Sequence, residues 1–171
     1  MLLFRIYEKL RVIFRTFFYK LIYFNNLKIH RNISFRKNLN LRINKNAYCE
    51  IGEGCFFNNN CSINVMGNVK IGDNCIFGEN VKIYDHNHVF NKKNQLIKNQ
   101  GMKIGKINIG SNCWIGSNVT ILKDINIGDN VVIGANCLIN RNIDSNKLVK
   151  ISNNNIIIDE IIYREEEITN D

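Results

Sequence analysis

A six-residue repeat runs without a slip from Ile109 to Ile143, and it narrows the folds open to this chain more than any other feature. Each repeat has a large aliphatic residue at its first position and a second apolar residue at its fifth. Neither the 3.6-residue period of an amphipathic helix nor the two-residue period of an alternating strand fits this spacing. A period of six is typical of a solenoid, in which each repeat forms one short strand and a corner and buries its apolar residues only against its neighbours.

The other positions of the repeat predict the corners. Asn stands fourth in five of the six repeats from Ile109 onward, and Gly stands second in four of them. Both residue types tolerate positive φ at low cost, so we expect a tight turn after every short strand. Strands joined by such regular corners give a coil of triangular section.

Length and charge set further bounds. With 171 residues, 45% of them hydrophobic, the chain is long enough for one domain with a core. No apolar run approaches the length that spans a bilayer, and no signal-peptide cleavage pattern follows the N-terminus, so we expect a cytoplasmic protein. The net charge of +8 is uneven, because residues 1–45 carry eleven Lys and Arg against one acid, whereas residues 46–171 carry twelve against fourteen.

The first 24 residues have the pattern of an amphipathic helix, within a basic segment that we delimit as residues 1–32. Large apolar residues recur at three- and four-residue spacing from Leu3 to Phe24, and Arg and Lys occupy the other side. Three interpretations follow. The apolar stripe packs against the open end of the solenoid or a sister subunit, or it lies on an anionic membrane surface. Nucleic-acid binding is the third, and we do not favour it because no recognition element accompanies the charge.

The repeat begins loosely at Ile33, so we assign residues 33–143 to the solenoid. Residues 144–171 are predicted to form two strands that cap the last coil, followed by a solvated acidic tail. The repeat is interrupted once, over residues 84–108. So long a stretch cannot form one side of a coil, so we expect an extruded loop, and such loops are often functional.

All six cysteines occupy the fifth position of a repeat, which is predicted to hold a small apolar side chain inside the coil. The short pairs that are typical of zinc ligands are absent. We therefore interpret the cysteines as small buried hydrophobes in a reducing compartment, and not as disulfide partners or metal ligands. They are Cys49, Cys55, Cys61, Cys75, Cys113 and Cys137.

Two of the three histidines, His86 and His88, lie at the mouth of the predicted loop, directly after Asp85. One interpretation is that they are surface residues without a role. The other is catalytic: a carboxylate holds an imidazole in one tautomer while the second ring nitrogen faces a substrate hydroxyl. A metal site is the weakest interpretation because no third ligand is apparent, and we expect no metal.

These features together resemble the hexapeptide-repeat acetyltransferases over roughly residues 50–143. The stretch from Asp85 to His88 is similar to the Asp-x-Asp-His motif of sugar and polysaccharide O-acetyltransferases, and Trp114-Ile115-Gly116 is similar to the core of their repeat signature. The resemblance implies an all-β fold, a left-handed parallel β-helix with three repeats per coil. The chain departs from the family in having His86 within the motif, which leaves open which histidine acts, and in lacking the usual Gly-Asn-Pro-Ala segment.

The resemblance also implies a reaction, in which an acetyl group passes directly from acetyl-CoA to a sugar hydroxyl of a cell-surface polysaccharide or its precursor. The histidine that ends the motif is the general base in relatives, so His88 would take the proton, with His86 as the alternative, and Asp85 or a backbone carbonyl would orient the ring. Relatives build each site between adjacent subunits of a trimer, which implies a homotrimer here. The residues assigned to acetyl-CoA by resemblance are Trp114, Gly116, Ser117, Gly134, Ala135 and Arg141.

Two other functions remain open. N-acetylation of an amino sugar or nucleotide-linked sugar would use the same coenzyme and base, and the generic Lys, Asn and Gln residues of the loop do not discriminate against it. A non-catalytic β-helix scaffold is opposed by the histidine loop and by Trp114. If residues 1–24 contact a membrane, a cytoplasmic protein would do so at its inner face.

Overall fold

The computed structural model describes residues 2–152 and 155–160. One helix precedes five stacked coils of short parallel strands, and an antiparallel strand pair leaves the stack between the third and fourth coils. The elements are α1 Leu2–Ile22, β1 Leu27–Ile29, β2 Ser34–Phe35, β3 Asn40–Ile43, β4 Tyr48–Ile51, β5 Phe56–Phe57, β6 Ser62–Val65, β7 Asn68–Ile71, β8 Ile76–Phe77, β9 Lys82–Tyr84, β10 His86–His88, the 3₁₀ helix η1 Ile97–Asn99, β11 Met102–Ile104, β12 Lys106–Ile109, β13 Trp114–Ile115, β14 Thr120–Ile121, β15 Ile125–Ile127, β16 Val132–Ile133, β17 Leu138–Ile139, β18 Lys147–Ser152 and β19 Asn155–Glu160.

The successive strands of each coil belong to three different sheets, which form the faces of a prism. The first sheet contains β1, β4, β7, β12 and β15, and the third contains β3, β6, β9, β14 and β17. The second sheet contains β2, β5, β8, β13 and β16, continued by β18 and β19. We number each corner by the sheet that it follows, so the third corner joins the third sheet to the first sheet of the next coil and lies opposite the second sheet. The predicted parallel β-helix is confirmed.

One column of apolar side chains fills the prism from Leu27 to Val149. Side chains alternate between the interior and the outer surface along each strand, and each interior side chain stacks on its counterpart in the next coil. The rings of Phe57 and Phe77, for example, stack with centroids 4.4 Å apart. The six cysteines are unpaired and buried in this column, as predicted, and burial raises the pKa of the Cys49 thiol to about 12.

Asparagine and glycine have different roles in the corners. Asn118 has a φ of 60°, and its side-chain amide joins Asn80 at 3.1 Å and Asn136 at 3.0 Å in a ladder along the stack. Gly116 has no positive φ; instead, a Cβ placed there would lie 2.6 Å from the backbone nitrogen of Ala135 in the next coil. The expectation that this repeat glycine supplies the turn is therefore wrong. Close stacking of the coils, and not backbone conformation, requires glycine there.

Helix α1 covers the open end of the first coil with its polar side chains. Carbonyls at this edge have no strand beneath them, so they need donors from elsewhere. Arginine and tyrosine side chains of the helix and of the turn after it supply these donors. The bonds join Arg11 to the carbonyl of Phe35 (2.9 Å), Arg15 and Tyr19 to that of Leu39 (2.9 and 2.6 Å), and Tyr23 to that of Leu41 (3.2 Å).

The large apolar side chains of α1 point away from the solenoid. Leu10, Phe14 and Phe17 are 60%, 63% and 61% exposed. The interpretation that the apolar stripe packs against the solenoid end is therefore wrong. The end of a β-helix presents unpaired carbonyls, so a row of Arg and Tyr donors stabilises it where Leu and Phe side chains would leave those carbonyls unsatisfied.

At the other end, β18 extends the second sheet and pairs antiparallel with β19. The predicted acidic tail begins after this pair and lies outside the described residues. Among the helices described, none is both long and apolar enough to cross a membrane.

Candidate active site

The repeat is interrupted at the third corner of the third coil. The backbone leaves the stack at Asp85 and returns at Gly105, whose N–H donates to the Asp85 carbonyl at 2.7 Å. Between these residues β10 and β11 pair antiparallel, with His86 opposite Ile104 and His88 opposite Met102. The interruption is thus built on a β-hairpin, and we call residues 85–105 the corner hairpin.

Asp85 anchors the corner hairpin to the stack. Its side chain is fully buried, and its carboxylate accepts hydrogen bonds from the backbone N–H groups of Met66 at 2.8 Å and Gly67 at 2.7 Å in the corner beneath. The oxygen that accepts from Met66 also lies 2.9 Å from Nδ1 of His86. A buried carboxylate is tolerated only with such partners, so one side chain fixes the lower corner and the first residue of the hairpin together.

His86 and His88 lie on one side of β10, because alternate residues of a strand share a face. His86 is mostly buried and bonds to Asp85 through Nδ1, and its ring meets that of Tyr84 edge-on, with centroids 6.4 Å apart. A proton on Nδ1 leaves Nε2 as the acceptor, which is the tautomer that a general base needs. His88 is exposed, and its ring has no hydrogen-bond partner in the described part of the chain. Asp85 therefore orients His86, whereas the expectation placed it beside His88.

Gln100 holds the tip of the corner hairpin, a role that no pattern in the amino-acid sequence indicated. The side chain is 5% exposed. Its amide accepts from the Lys92 N–H at 2.9 Å and donates to the carbonyls of Lys92 and Gln95 at 3.2 and 2.7 Å. These three bonds replace the backbone ladder that the tip lacks, so the segment from Lys92 to Gln100 has a defined shape.

Trp114 lies on the outer surface of the second sheet and is 56% exposed. From the second coil onward, it belongs to a row of outward side chains that are all apolar. Exposed apolar rows of this kind mark protein interfaces or ligand sites. The row comprises Phe56, Ile76, Trp114, Val132 and Leu148, in register from coil to coil.

The second sheet is opposite the third corner, so Trp114 and the histidines of one chain lie on opposite sides of the prism. A single chain therefore does not bring Trp114 beside the histidine loop. The hexapeptide pattern alone could have shown this. Trp114 lies on the second strand of the fourth coil, whereas the loop follows the third strand of the third coil.

The other residues predicted to bind acetyl-CoA fall at two corners. Gly116, Ser117, Gly134 and Ala135 lie at the second corner of successive coils, just after β13 and β16, so the structure brings these four together beside Trp114. The Ser117 hydroxyl is already engaged, accepting from the Glu79 N–H at 3.2 Å. Arg141 is exposed at the third corner, two coils beyond Asp85, which is about 10 Å at the usual strand spacing. It therefore lies on the histidine side and not with the other four.

No cluster of three or more His, Cys, Asp or Glu side chains that could hold a metal ion occurs in residues 2–152 and 155–160. His30, the third histidine, lies far from the hairpin in sequence and pairs with Glu50 at 3.0 Å on the first sheet.

Comparisons with known proteins agree with this architecture. Residues 106–141 match the family described as bacterial transferase hexapeptide (six repeats). A maltose O-acetyltransferase from Clostridium difficile 630 is 30% identical, with a TM-score of 0.61 over 78% of this chain and 71% of that one. A galactoside acetyltransferase in complex with coenzyme A is also 30% identical, with a TM-score of 0.55 over 70% of this chain and 60% of that one.

A hexapeptide-repeat acetyltransferase from Vibrio cholerae O1 biovar eltor, solved with acetyl-coenzyme A, has a TM-score of 0.67 over 82% of this chain and 73% of that one. At 22% identity it shows the fold alone. Among curated protein sequences no match was found. The chain belongs to the hexapeptide-repeat acetyltransferases, whose fold is the left-handed parallel β-helix.

Proposed function

We propose that this chain is an acetyl-CoA-dependent O-acetyltransferase that acts on a sugar hydroxyl of a cell-surface polysaccharide or its precursor. The observation that carries the proposal is the corner hairpin, which presents two histidines, one of them bonded to a buried carboxylate, at the edge of an acetyltransferase β-helix. Two relatives at 30% identity are described as acting on carbohydrates, maltose and galactosides, which supports a carbohydrate acceptor.

In the proposed reaction, neutral His88 accepts the proton of the acceptor hydroxyl while that oxygen attacks the thioester carbonyl of acetyl-CoA. The C–S bond then breaks, and the CoA thiolate takes the proton from the imidazolium. A general base of this kind contributes about 10²–10⁴-fold to the rate. His88 is exposed and unengaged, so substrate can reach it, whereas the Asp85 bond makes His86 the alternative base. A backbone N–H at a corner would stabilise the oxyanion.

We propose further that the site forms between subunits of a homotrimer. Within one chain the histidines and the surface around Trp114 face away from each other, so one chain cannot bring both to the same substrate. A neighbouring copy in a closed ring can place its second sheet against the corner hairpin. Acetyl-CoA would then lie beside Trp114 and the second-corner residues of one chain, within reach of His88 of the next.

Titration with acetyl-CoA, followed by calorimetry and by thermal unfolding, tests the coenzyme first. A ligand that binds only the folded state raises stability by mass action, so a saturable rise in Tm is expected. A folded protein that shows no binding at millimolar acetyl-CoA would favour the scaffold alternative.

Thiol release from acetyl-CoA with maltose and galactosides as trial acceptors tests the base. His88→Ala is expected to lower kcat about 10²–10⁴-fold with an unchanged Tm. His30→Ala is the matched control, because it removes an exposed histidine that pairs only with Glu50, and it should keep full activity. If His88→Ala is fully active and His86→Ala is not, the base is His86. Glucosamine among the acceptors separates N-acetylation from O-acetylation.

Mixing inactive chains tests the shared site. If His88 and Trp114 act from different chains, co-expressed His88→Ala and Trp114→Ala chains should rebuild intact sites in mixed trimers. With random assembly from equal amounts of the two chains, up to about a quarter of all sites should be intact. Each variant alone should stay inactive. A mixture as inactive as its components, in proven mixed oligomers, contradicts a site between subunits.

A further inference from the structure

The end of the molecule that carries α1 has a broad apolar surface. Eleven large apolar side chains between Leu3 and Phe24 are exposed, against nine spread over all the other residues that the structure describes. We call α1, the turn after it and the first coil, residues 3–45, the base of the molecule. The exposed apolar side chains of the base are Leu3, Ile6, Tyr7, Leu10, Ile13, Phe14, Phe17, Phe18, Leu21, Ile22 and Phe24.

Cations surround this apolar surface. Lys9 lies in a groove together with Arg36 and Lys37 of the first coil, and Lys20 lies in a second groove with Arg31. All five are exposed. The one acid of residues 1–45, Glu8, is engaged with Arg11 at 2.6 Å against the solenoid, so it does not offset the exposed charge.

We propose that the base docks the protein onto the surface of an anionic lipid bilayer. A helix with large apolar residues on one side and basic residues at its borders lies in the plane of a membrane interface, with its apolar side buried about 5–10 Å. The polar side of such a helix normally faces water, but here it is bonded to the first coil through Arg11, Arg15 and Tyr19. The helix is thus held on a rigid body with only its apolar side free.

Charge decides between a lipid surface and a second copy of the chain. Two bases placed face to face would bring two segments of charge +10 together around the apolar contact. Like charges brought into a contact oppose it, whereas anionic head groups neutralise them, at about 1 kcal/mol for each Lys or Arg near the surface. Nucleic acid would satisfy the charge but would leave the Leu and Phe side chains exposed.

Docking through the base fixes where the corner hairpin stands. α1 lies across the end of the stack, so the axis of the solenoid rises away from the membrane. The hairpin leaves the third coil, two steps or about 10 Å above the first, and the side of the helix that is not buried in lipid adds about another 5 Å. Its histidines would stand about 15 Å above the lipid, which suits a glycan carried on a membrane anchor better than a free sugar.

Sedimentation of the full chain with vesicles tests the docking without reference to catalysis, so its outcome is independent of the proposed reaction. Binding to vesicles of phosphatidylglycerol and phosphatidylcholine is expected, weaker with phosphatidylcholine alone, and falling with added salt. No binding to either vesicle by the folded protein overturns the proposal.

Two variants and a control assign the binding to the base. The triple variant Leu10→Gln/Phe14→Gln/Phe17→Gln should bind vesicles at least about 100-fold more weakly than the native chain. The double variant Lys9→Gln/Lys20→Gln should weaken vesicle binding about 5-fold for each charge removed, measured at low salt. Leu138→Gln removes a half-exposed apolar residue on the third sheet and should bind like the native chain. Native-like binding by the triple variant overturns the proposal. So does a triple variant that changes the oligomeric mass in the absence of lipid, since a second copy would then cover the surface.

Discussion

The coils and the corner hairpin of this protein are stabilised in different ways. In the coils, each position has a counterpart above and below, as with Asn118 between Asn80 and Asn136. The corner hairpin has no coil stacked on it, and besides the backbone pairing of β10 with β11 its root and its tip are each held by the bonds of one side chain, Asp85 and Gln100. Stability is therefore shared among many similar residues in the coils, but depends on single residues in the hairpin that carries the histidines.

This difference explains where chemistry can arise in such a chain. A residue that changes in one coil must still match its neighbours in two others, so the stack restricts what its corners can carry. A hairpin that leaves the stack at one corner does not have this restriction. Once a buried residue such as Asp85 fixes its root, exposed residues such as His88 can be of many types. We therefore expect coil substitutions to change the stability of the whole molecule and hairpin substitutions to change only the hairpin. A substitution where the two meet should do both.

The largest effect is expected at Asp85, where stack and hairpin meet. Asp85→Asn retains the shape but places an NH₂ group against one of the N–H groups of Met66 and Gly67, or against His86. Loss of a charged acceptor from a buried N–H group typically costs about 3 kcal/mol or more, so the free energy of unfolding in urea should fall by at least that amount. Activity should fall with it, because the hairpin root loses its anchor.

Asp129→Asn is the matched control for this substitution. Asp129 also accepts a corner N–H, that of Ser111 at 2.7 Å, but it is exposed, so solvent can replace the bond. Its unfolding free energy should change little. An Asp85→Asn protein as stable as Asp129→Asn would show that the buried carboxylate does not join the hairpin to the stack.

The next effect is expected at Gly116→Ala, inside the stack. The added Cβ would lie 2.6 Å from the Ala135 nitrogen, so the coils must separate locally, at a cost of about 1–3 kcal/mol by analogy with overpacked cores. Gly134→Ala is the comparison, because its Cβ would meet the Val149 carbonyl at 3.3 Å and should cost less. Denaturation in urea measures both. If Gly116→Ala raises the KM for acetyl-CoA without loss of stability, contact with the coenzyme and not stacking requires this glycine.

The sequence was sufficient to predict the stacked coils, because a six-residue period identifies which side chains point into the interior in every coil. Burial of Cys49 and Cys113 followed from their position in the repeat alone. The hairpin was predicted only as an interruption, since Asp85 bonds to Met66 and Gly67 and no local pattern marks such a contact. The orientation of α1 was missed for a related reason: hydrophobic periodicity identifies an apolar side, but it does not show that the end of a β-helix needs hydrogen-bond donors.

A moderate effect is expected at Asn118→Ala, which tests the corner ladder. The φ of 60° at this position costs about 1–2 kcal/mol for a residue with a Cβ and no amide to bond locally. Asn118→Gly loses the same amide but tolerates the φ, so it should be the more stable of the two variants. Asn126→Ala, which also loses an amide ladder bond but lies on a strand, is a second control. Equal stability of Asn118→Ala and Asn118→Gly would mean that the ladder bonds, and not the backbone conformation, select asparagine.

The smallest effect on global stability is expected at Gln100→Ala, although the hairpin tip depends on this side chain. The three bonds of the Gln100 amide lie within residues 92–100, so their loss releases the tip without touching the stack. Urea denaturation should therefore match that of the native chain, whereas amide hydrogen exchange over residues 92–100 should become faster, because local opening no longer breaks these bonds.

Gln95→Ala is the control for this last change. Gln95 lies in the same segment, but its side chain is exposed and makes one bond, to the Asn99 carbonyl at 3.0 Å. Exchange that is equally fast in both variants would show that the tip is held by its backbone. Faster exchange that spreads into β9 and β12 would contradict the comparison itself, because the hairpin would then be part of the cooperative stack and not an excursion held by single residues.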